Sequence, residues 1–270
     1  MSQKNKNVLI TGTVAFDDIE TPKGSSGKII GGSGTYIALA ASVFCKKISL
    51  ISVIGDDFLD KDIEMFQSKN INTDMIERIS GEKSFYWKGR YHSNFKTRET
   101  LITELNALEK FNPIVKDSSK NAEIVVLGNL HPSVQLRVLD QIEKKNSFVI
   151  LDTMNFWMDT SMDELTLAIS KTDLIVINDE EIEQLTSEKK LDSAANKIFK
   201  MGPKIVIIKK GDKGSEIFNL EKRFSIPAFP VKSLIDPTGA GDCFAGGLAG
   251  YLSTQEQIDF DSLKKSMVFG

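Results

Sequence analysis

Short apolar runs rich in β-branched residues recur along the chain, and each ends in a glycine or a polar residue. NVLITGTVAF (7–16) predicts a buried strand that leaves its sheet through Gly12. KISLISVIGDDF (47–58), AEIVVLGNL (122–130), SFVILDTMN (147–155), TDLIVINDEE (172–181) and PKIVIIKKGDKG (203–214) repeat the pattern. Continuous apolar runs of this length suit strands covered on both faces. Between them the spacing turns helical, in SGTYIALAASVFC (33–45), DKDIEMFQSKN (60–70), PSVQLRVLDQIEKKN (132–146), SMDELTLAISKT (161–172) and EEIEQLTSEKKLDSAANKIFKMG (180–202). Alternating strands and helices predict a parallel sheet between two helical layers. Two regions break this rhythm. TPKGSSGKIIGGSG (21–34) is turn-rich, while SFYWKGRYHS (84–93) and ETLITEL (99–105) alternate apolar and polar residues. They predict a small half-exposed sheet or lid built from segments near 13–32 and 83–106, added to one domain spanning 1–270.

In an open parallel sheet, ligands bind beyond the carboxyl ends of the strands. Those ends carry Asn129, Asp152, Asn155, Asn178, Glu181, Lys209 and Gly211. Composition then narrows the chemistry. With 37 acidic and 34 basic residues the net charge is −3, so the basic excess expected of a nucleic-acid binder is missing. Two cysteines and two histidines provide neither a disulfide framework nor a zinc set, and suit a reducing cytoplasm. The first residues, MSQKNKNVLITG, do not read as a signal peptide, and no apolar run is long enough for a membrane helix.

DPTGAGDCFAGGLAGYL (236–252) places Gly239 and Gly241 just before a helix of small residues. First-turn amides of a helix have no internal partner and carry the positive end of its dipole, which suits a phosphate. Asp242 falls in that first turn. A carboxylate would repel the anion, unless it accepts the proton of an attacking hydroxyl while the amides hold the transferred phosphoryl group. A plain helix-capping Asp is the competing reading.

These segments resemble the ribokinase-like PfkB carbohydrate kinase family. DPTGAGDCFAGG resembles its D-T-x-G-A-G-D signature, GGSGTYIALAA its early Gly-Gly segment, NDEE its N-x-x-E motif and KKGDKG its late glycine turn. The order and spacing also match over nearly the whole chain. The resemblance implies a three-layer α/β/α sandwich with a mostly parallel sheet and a small β lid. It implies ATP and Mg2+ as cofactors, with Asp242 as catalytic base and the amides of Gly239, Ala240 and Gly241 as the anion hole. Asn178 and Glu181 would organise Mg2+ and the ATP phosphates; an Asn cap with an acidic first turn is the alternative for that pair. Asp17 would bind substrate hydroxyls, with Asp18 as competitor, while Gly31 and Gly32 let the backbone approach the substrate. Lys209, Gly211 and Gly214 would lie near the nucleotide, although a solvated lysine fits Lys209 equally. Asp236 and Thr238 match positions associated with the nucleotide and a monovalent cation such as K+.

Departures from the pattern bear on the substrate. Tyr36 stands where the family often has Asn, and could stack on a ring, close the pocket or pack in the helix core. DTMNFW keeps Asp152 and Asn155 of a D-x-N-x-R segment but lacks its Arg, which disfavours acceptors that already carry a phosphate. Lys88, Arg90, Lys96 and Arg98 alternate with aromatics and read as a solvated lid face. Only 28 residues follow Asp242 (270 − 242), where the resemblance implies a further helix closing the adenine pocket, so the C-terminal end reads as truncated or as that of a short member.

The chain therefore reads as an ATP-dependent kinase for the hydroxymethyl group of a small sugar. A nucleoside kinase acting on an adenosine-, cytidine- or guanosine-like substrate is the alternative, followed by a non-catalytic small-molecule-binding regulator. Pairing through the lid would give a homodimer. A P-loop kinase, a protein kinase and a Rossmann dehydrogenase all lack their motifs here.

Overall fold

A computed structural model describes residues 5–93, 95 and 97–270. The chain opens with β1 (Val8–Thr11), β2 (Ala15–Thr21), β3 (Gly24–Gly31), α1 (Ser33–Ala41), β4 (Ile48–Ile54) and α2 (Asp60–Ser68). It continues through β5 (Ile71–Arg78), β6 (Tyr86–Tyr91), β7 (Arg98–Glu104), β8 (Ile124–Leu127), α3 (Pro132–Leu139), β9 (Phe148–Asp152), α4 (Asn155–Thr160) and α5 (Met162–Ser170). The last part holds β10 (Leu174–Asn178), α6 (Asp179–Thr186), α7 (Leu191–Met201), β11 (Ile205–Lys209), β12 (Ser215–Phe218), β13 (Arg223–Ile226), α8 (Ala240–Ser253) and α9 (Phe260–Ser266).

The main sheet has the order β13-β12-β11-β10-β9-β8-β1-β4-β5. Strands β11 to β5 in that order run parallel, while β12 and β13 join as an antiparallel edge. Alternate residues of one strand feed two separate cores. Leu9 joins Val134, Leu165, Ile182 and Ile198 from α3, α5, α6 and α7. Val8 and Ile10 join Ile37, Phe66, Leu248 and Leu263 from α1, α2, α8 and α9. The sheet is therefore a middle layer with helices on both faces, as its continuous apolar strands require. A second sheet, β3-β2-β6-β7, stands apart from it.

Some elements depart from the sequence pattern. The long helical run 180–202 splits into α6 and α7 at Ser187, which adopts a left-handed conformation (φ 56°). The helix over 132–146 stops at Leu139. Strand β5 escapes the apolar-run criterion because it is a sheet edge alternating Ile71, Thr73 and Met75 with exposed Asn72 and Asp74. The short helix α4 begins where the pattern suggests only a strand end.

Helices α1 and α8 carry the glycines expected to approach ligand, and they pack closely because their facing residues are small. A Cβ on Gly246 would lie 2.3 Å from the Ile37 carbonyl oxygen, and one on Gly250 2.7 Å from that of Ala41. Backbone cannot yield as a side-chain tip can, so Gly246→Val is expected to destabilise the fold by about 1–3 kcal/mol or more. Urea unfolding checks this; an unchanged midpoint would show that the two helices separate freely.

Candidate active site

The carboxyl ends of β9, β10 and β11 bring three charged side chains together. Asn178 and Lys209 are register partners on β10 and β11, and Val176 pairs with Asp152 across β10 and β9. Lys209 reaches back over β10 so that its Nζ donates to Asp152 Oδ1 at 3.0 Å. This lysine is buried, not solvated. Burial disfavours its charge, but Asp152 and Glu181 outweigh that, and the Lys209 pKa rises. Gln135 fixes the neighbouring backbone: its buried amide donates to the carbonyls of Gly128 (2.9 Å) and Asp152 (3.2 Å), tying the ends of β8 and β9 together.

Helix α8 starts against this cluster. Gly239 is its N-cap in a left-handed conformation (φ 75°), which costs glycine little. A Cβ there would lie 2.6 Å from the Tyr36 ring, and a Cβ on Gly241 would lie 2.8 Å from Lys209 Nζ. The turn thus sits between an aromatic ring and an ammonium group, with no room for side chains. The Ala240 amide donates to the Pro237 carbonyl at 3.1 Å, and the Cys243 amide to that of Gly239 at 2.7 Å. The amides expected to form the anion hole differ in their partners. The Ala240 N–H is spent inside the turn, whereas those of Gly239, Gly241 and Asp242 have no backbone partner among the described residues.

Asp242 lies in the first turn of α8. Burial raises its pKa, Asp152 raises it further, and Lys209 opposes both. Glu181 is 7% exposed, and burial pushes its pKa up to about 7 against the pull of Lys209. It forms a reciprocal cap with Asn178: the Asn178 amide donates to Glu181 Oε2 at 2.9 Å, and the Glu181 amide to Asn178 Oδ1 at 2.7 Å. The helix-cap reading of this pair is therefore present in the structure. It leaves Glu181 Oε1 as an oxygen for a hard cation, which accepts carboxylate oxygens readily.

Asp17 and Asp18 point to opposite faces of β2. Asp17 is 4% exposed, and its Oδ2 accepts from the Gly32 amide at 3.4 Å and the Tyr36 hydroxyl at 3.2 Å. Gly31 leaves the space for it, since a Cβ there would fall 2.0 Å from Oδ2. Burial pushes the Asp17 pKa up to about 6. Asp18 instead accepts from Tyr86 at 3.2 Å and from Lys88 at 3.3 Å within the small sheet. The Tyr36 ring covers Gly239 while its hydroxyl holds Asp17.

The Asn155 amide donates to Gln184 Oε1 on the exposed surface. Gly211 (φ 56°) makes an open turn after β11, and Gly214 packs against the Ile226 carbonyl oxygen. The Thr238 amide is capped by Asp236 Oδ1 at 2.8 Å, and its hydroxyl bonds Tyr91 of β6 at 3.2 Å. Tyr91, which no motif marks, thus joins the small sheet to the glycine turn. Lys88 and Arg90 pair with Glu20, while Arg98 lowers the pKa values of Asp17, Glu181 and Asp242. Arg98 is exposed, as a solvated lid face expects, while its charge is also felt at those carboxylates; Lys96 lies outside the described residues.

The folded protein holds the Glu181 proton to about pH 7, against 4.5 for the ordinary side chain. The folded state therefore binds more protons in that window, and its stability falls as pH rises through it. Glu181→Gln removes the ionisation and is expected to gain on wild type by on the order of 2–3 kcal/mol between about pH 4 and about pH 8. Denaturant unfolding at the two pH values, without nucleotide or metal, tests this; a constant difference would mean that Glu181 ionises freely.

Comparison with known proteins gives this arrangement a family. The sequence matches the pfkB family carbohydrate kinases over residues 8–268. It is 26% identical over 250 residues to a cytidine kinase of Thermococcus kodakarensis, covering 91% of this chain and 88% of that protein. It is 25% identical over 249 residues to a deoxyribokinase of Salmonella typhi, covering 88% and 79%. A ribokinase II structure from E. coli, in complex with ATP and Mg2+, superposes with a TM-score of 0.80 at 18% identity, covering 97% of this chain and 90% of that one. Among the described residues no helix is long and apolar enough to cross a membrane. The chain belongs to the pfkB family of carbohydrate kinases, and is an ATP-dependent phosphotransferase that acts on a hydroxyl group.

Proposed function

We propose that the chain phosphorylates a hydroxymethyl group of a small sugar, with Asp242 as the base. The observation that carries this reading is the meeting of Asp242, unpaired helix-start amides and a buried ammonium at one turn, with Asp17 electrostatically coupled to Asp242. Asp242 accepts the proton of the acceptor hydroxyl as its oxygen attacks the γ-phosphorus of ATP. The Gly239, Gly241 and Asp242 amides hold the transferred group, so charge developing on its oxygens meets donors already in place. Lys209 supplies a positive charge beside Gly241 and opposes the rise that burial and Asp152 impose on the Asp242 pKa. Asp17 binds acceptor hydroxyls, with Gly31 and Gly32 giving the backbone clearance.

Mg2+ fits the oxygen donors at Asn178 and Glu181, and when bound it neutralises phosphate charge. A monovalent cation at Asp236 rests on the resemblance alone. The small sheet acts as the lid of a single domain, supported by the Tyr91–Thr238 bond and by contacts of Lys23 with Ser233 and Leu234. Exposed Ile29 and Ile102 on that sheet support pairing into a homodimer. A cytoplasmic location is supported by the use of ATP and by the two free cysteines. A nucleoside as acceptor is the second reading, favoured by the likeness to a cytidine kinase.

Asp242→Asn is expected to keep its fold and lose roughly 10²-fold or more in turnover. ADP release across a panel of free sugars and nucleosides measures this, and wild-type turnover in the variant would remove Asp242 from the base role. Because the Asp242 pKa is raised, kcat/KM should fall on the acid side at a pH above the ordinary carboxylate range. A pH–rate profile that stays level down to about pH 4 would contradict that environment.

A further inference from the structure

The Tyr36–Asp17 contact restricts what the substrate site can accept. A carboxylate offers two oxygens and about four lone-pair sites. Asp17 Oδ2 already accepts two hydrogen bonds, one from the Tyr36 hydroxyl and one from the Gly32 amide. Oδ1 has no protein partner among the described residues and is left for substrate. A vicinal diol whose two hydroxyls span both oxygens of the carboxylate would have to displace the Tyr36 or the Gly32 donor from Oδ2.

The ring of Tyr36 adds a second constraint. It lies directly on Gly239, so one wall beside the glycine turn is the face of a phenol ring. A methylene set against that wall loses nothing, whereas a hydroxyl there leaves water without a new partner. Both constraints come from one side chain, at a position where the resembling family often has Asn.

We propose that Tyr36 is a specificity-determining residue that selects a deoxy acceptor, one presenting a single hydroxyl rather than a vicinal diol to Asp17. This inference rests on the kinase reading for the identity of the acceptor site, and it deepens that reading by naming the acceptor class. A free deoxy sugar and a deoxynucleoside share this chemistry, and the experiment separates them.

The test uses two matched pairs, ribose with 2-deoxyribose and cytidine with 2′-deoxycytidine. For each member, kcat/KM is measured with ATP and Mg2+, and Kd is measured by calorimetry without ATP. The deoxy member of the preferred pair should be favoured at least about tenfold, the scale of one hydrogen bond to a charged group. The pair that responds identifies the source as sugar or nucleoside. Tyr36→Phe keeps the ring but frees one of the two occupied sites on Oδ2, and should pull the preference toward equality by raising the diol arm. Diols used or bound as well as their deoxy partners would overturn the proposal, as would a preference unchanged in Tyr36→Phe or no binding by either pair. Selective deoxy binding that responds to Tyr36→Phe, without any phosphoryl transfer, would uphold the acceptor class and remove the kinase reading instead.

Discussion

The ammonium of Lys209 is the charge on which the site depends. Asp152, Glu181 and Asp242 all act on it electrostatically at the end of one parallel sheet. Removed from water without a counter-charge, such groups would take up protons, since an isolated buried carboxylate is far too costly to keep ionised. Lys209 donates a hydrogen bond to Asp152 and opposes the upward drift of Glu181 and Asp242. The compensation is partial, because the last two still titrate well above their ordinary range. The cluster's carboxylates are thus destabilised as anions, beside helix-start amides that lack a backbone partner among the described residues.

Close packing sets where these charges sit. Lys209 reaches the glycine turn only because Gly241 has no side chain, and Tyr36 covers Gly239 for the same reason. The turn is held on its other flank by the Asp236 cap on Thr238 and the Tyr91 hydroxyl. One face of the turn therefore answers to the main sheet and the other to the small sheet. Movement of β6 would be felt at Thr238, next to the helix-start amides that lack a backbone partner among the described residues. The same economy recurs at Asp17, which fits only because residue 31 is a glycine.

Much of this was legible along the chain. Runs such as Ile205–Lys209 and Leu174–Asn178 are too apolar for anything but strands buried on both faces, and the helical spacing between them leaves few topologies. The glycine turn before α8 was also readable, because glycine spacing and helix-start chemistry are local properties. Elements with weak periodicity were not. The polar edge strand β5 and the short helix α4 are held by their neighbours rather than by their own pattern.

What sequence alone determined is thus the layered fold, the phosphate-suited turn and Asp242 within it. Tertiary structure decided the rest. It buried Lys209 against Asp152, 57 positions away, because β9 and β11 flank β10. It chose Asp17 over its neighbour Asp18, since successive strand residues face opposite ways and only one face meets Gly31 and Tyr36. It consumed the Ala240 amide within its own turn, a matter of dihedral angles that residue types do not state. Spacing encodes hydrogen bonds made over a few residues; it cannot encode which distant side chain fills the space a glycine leaves.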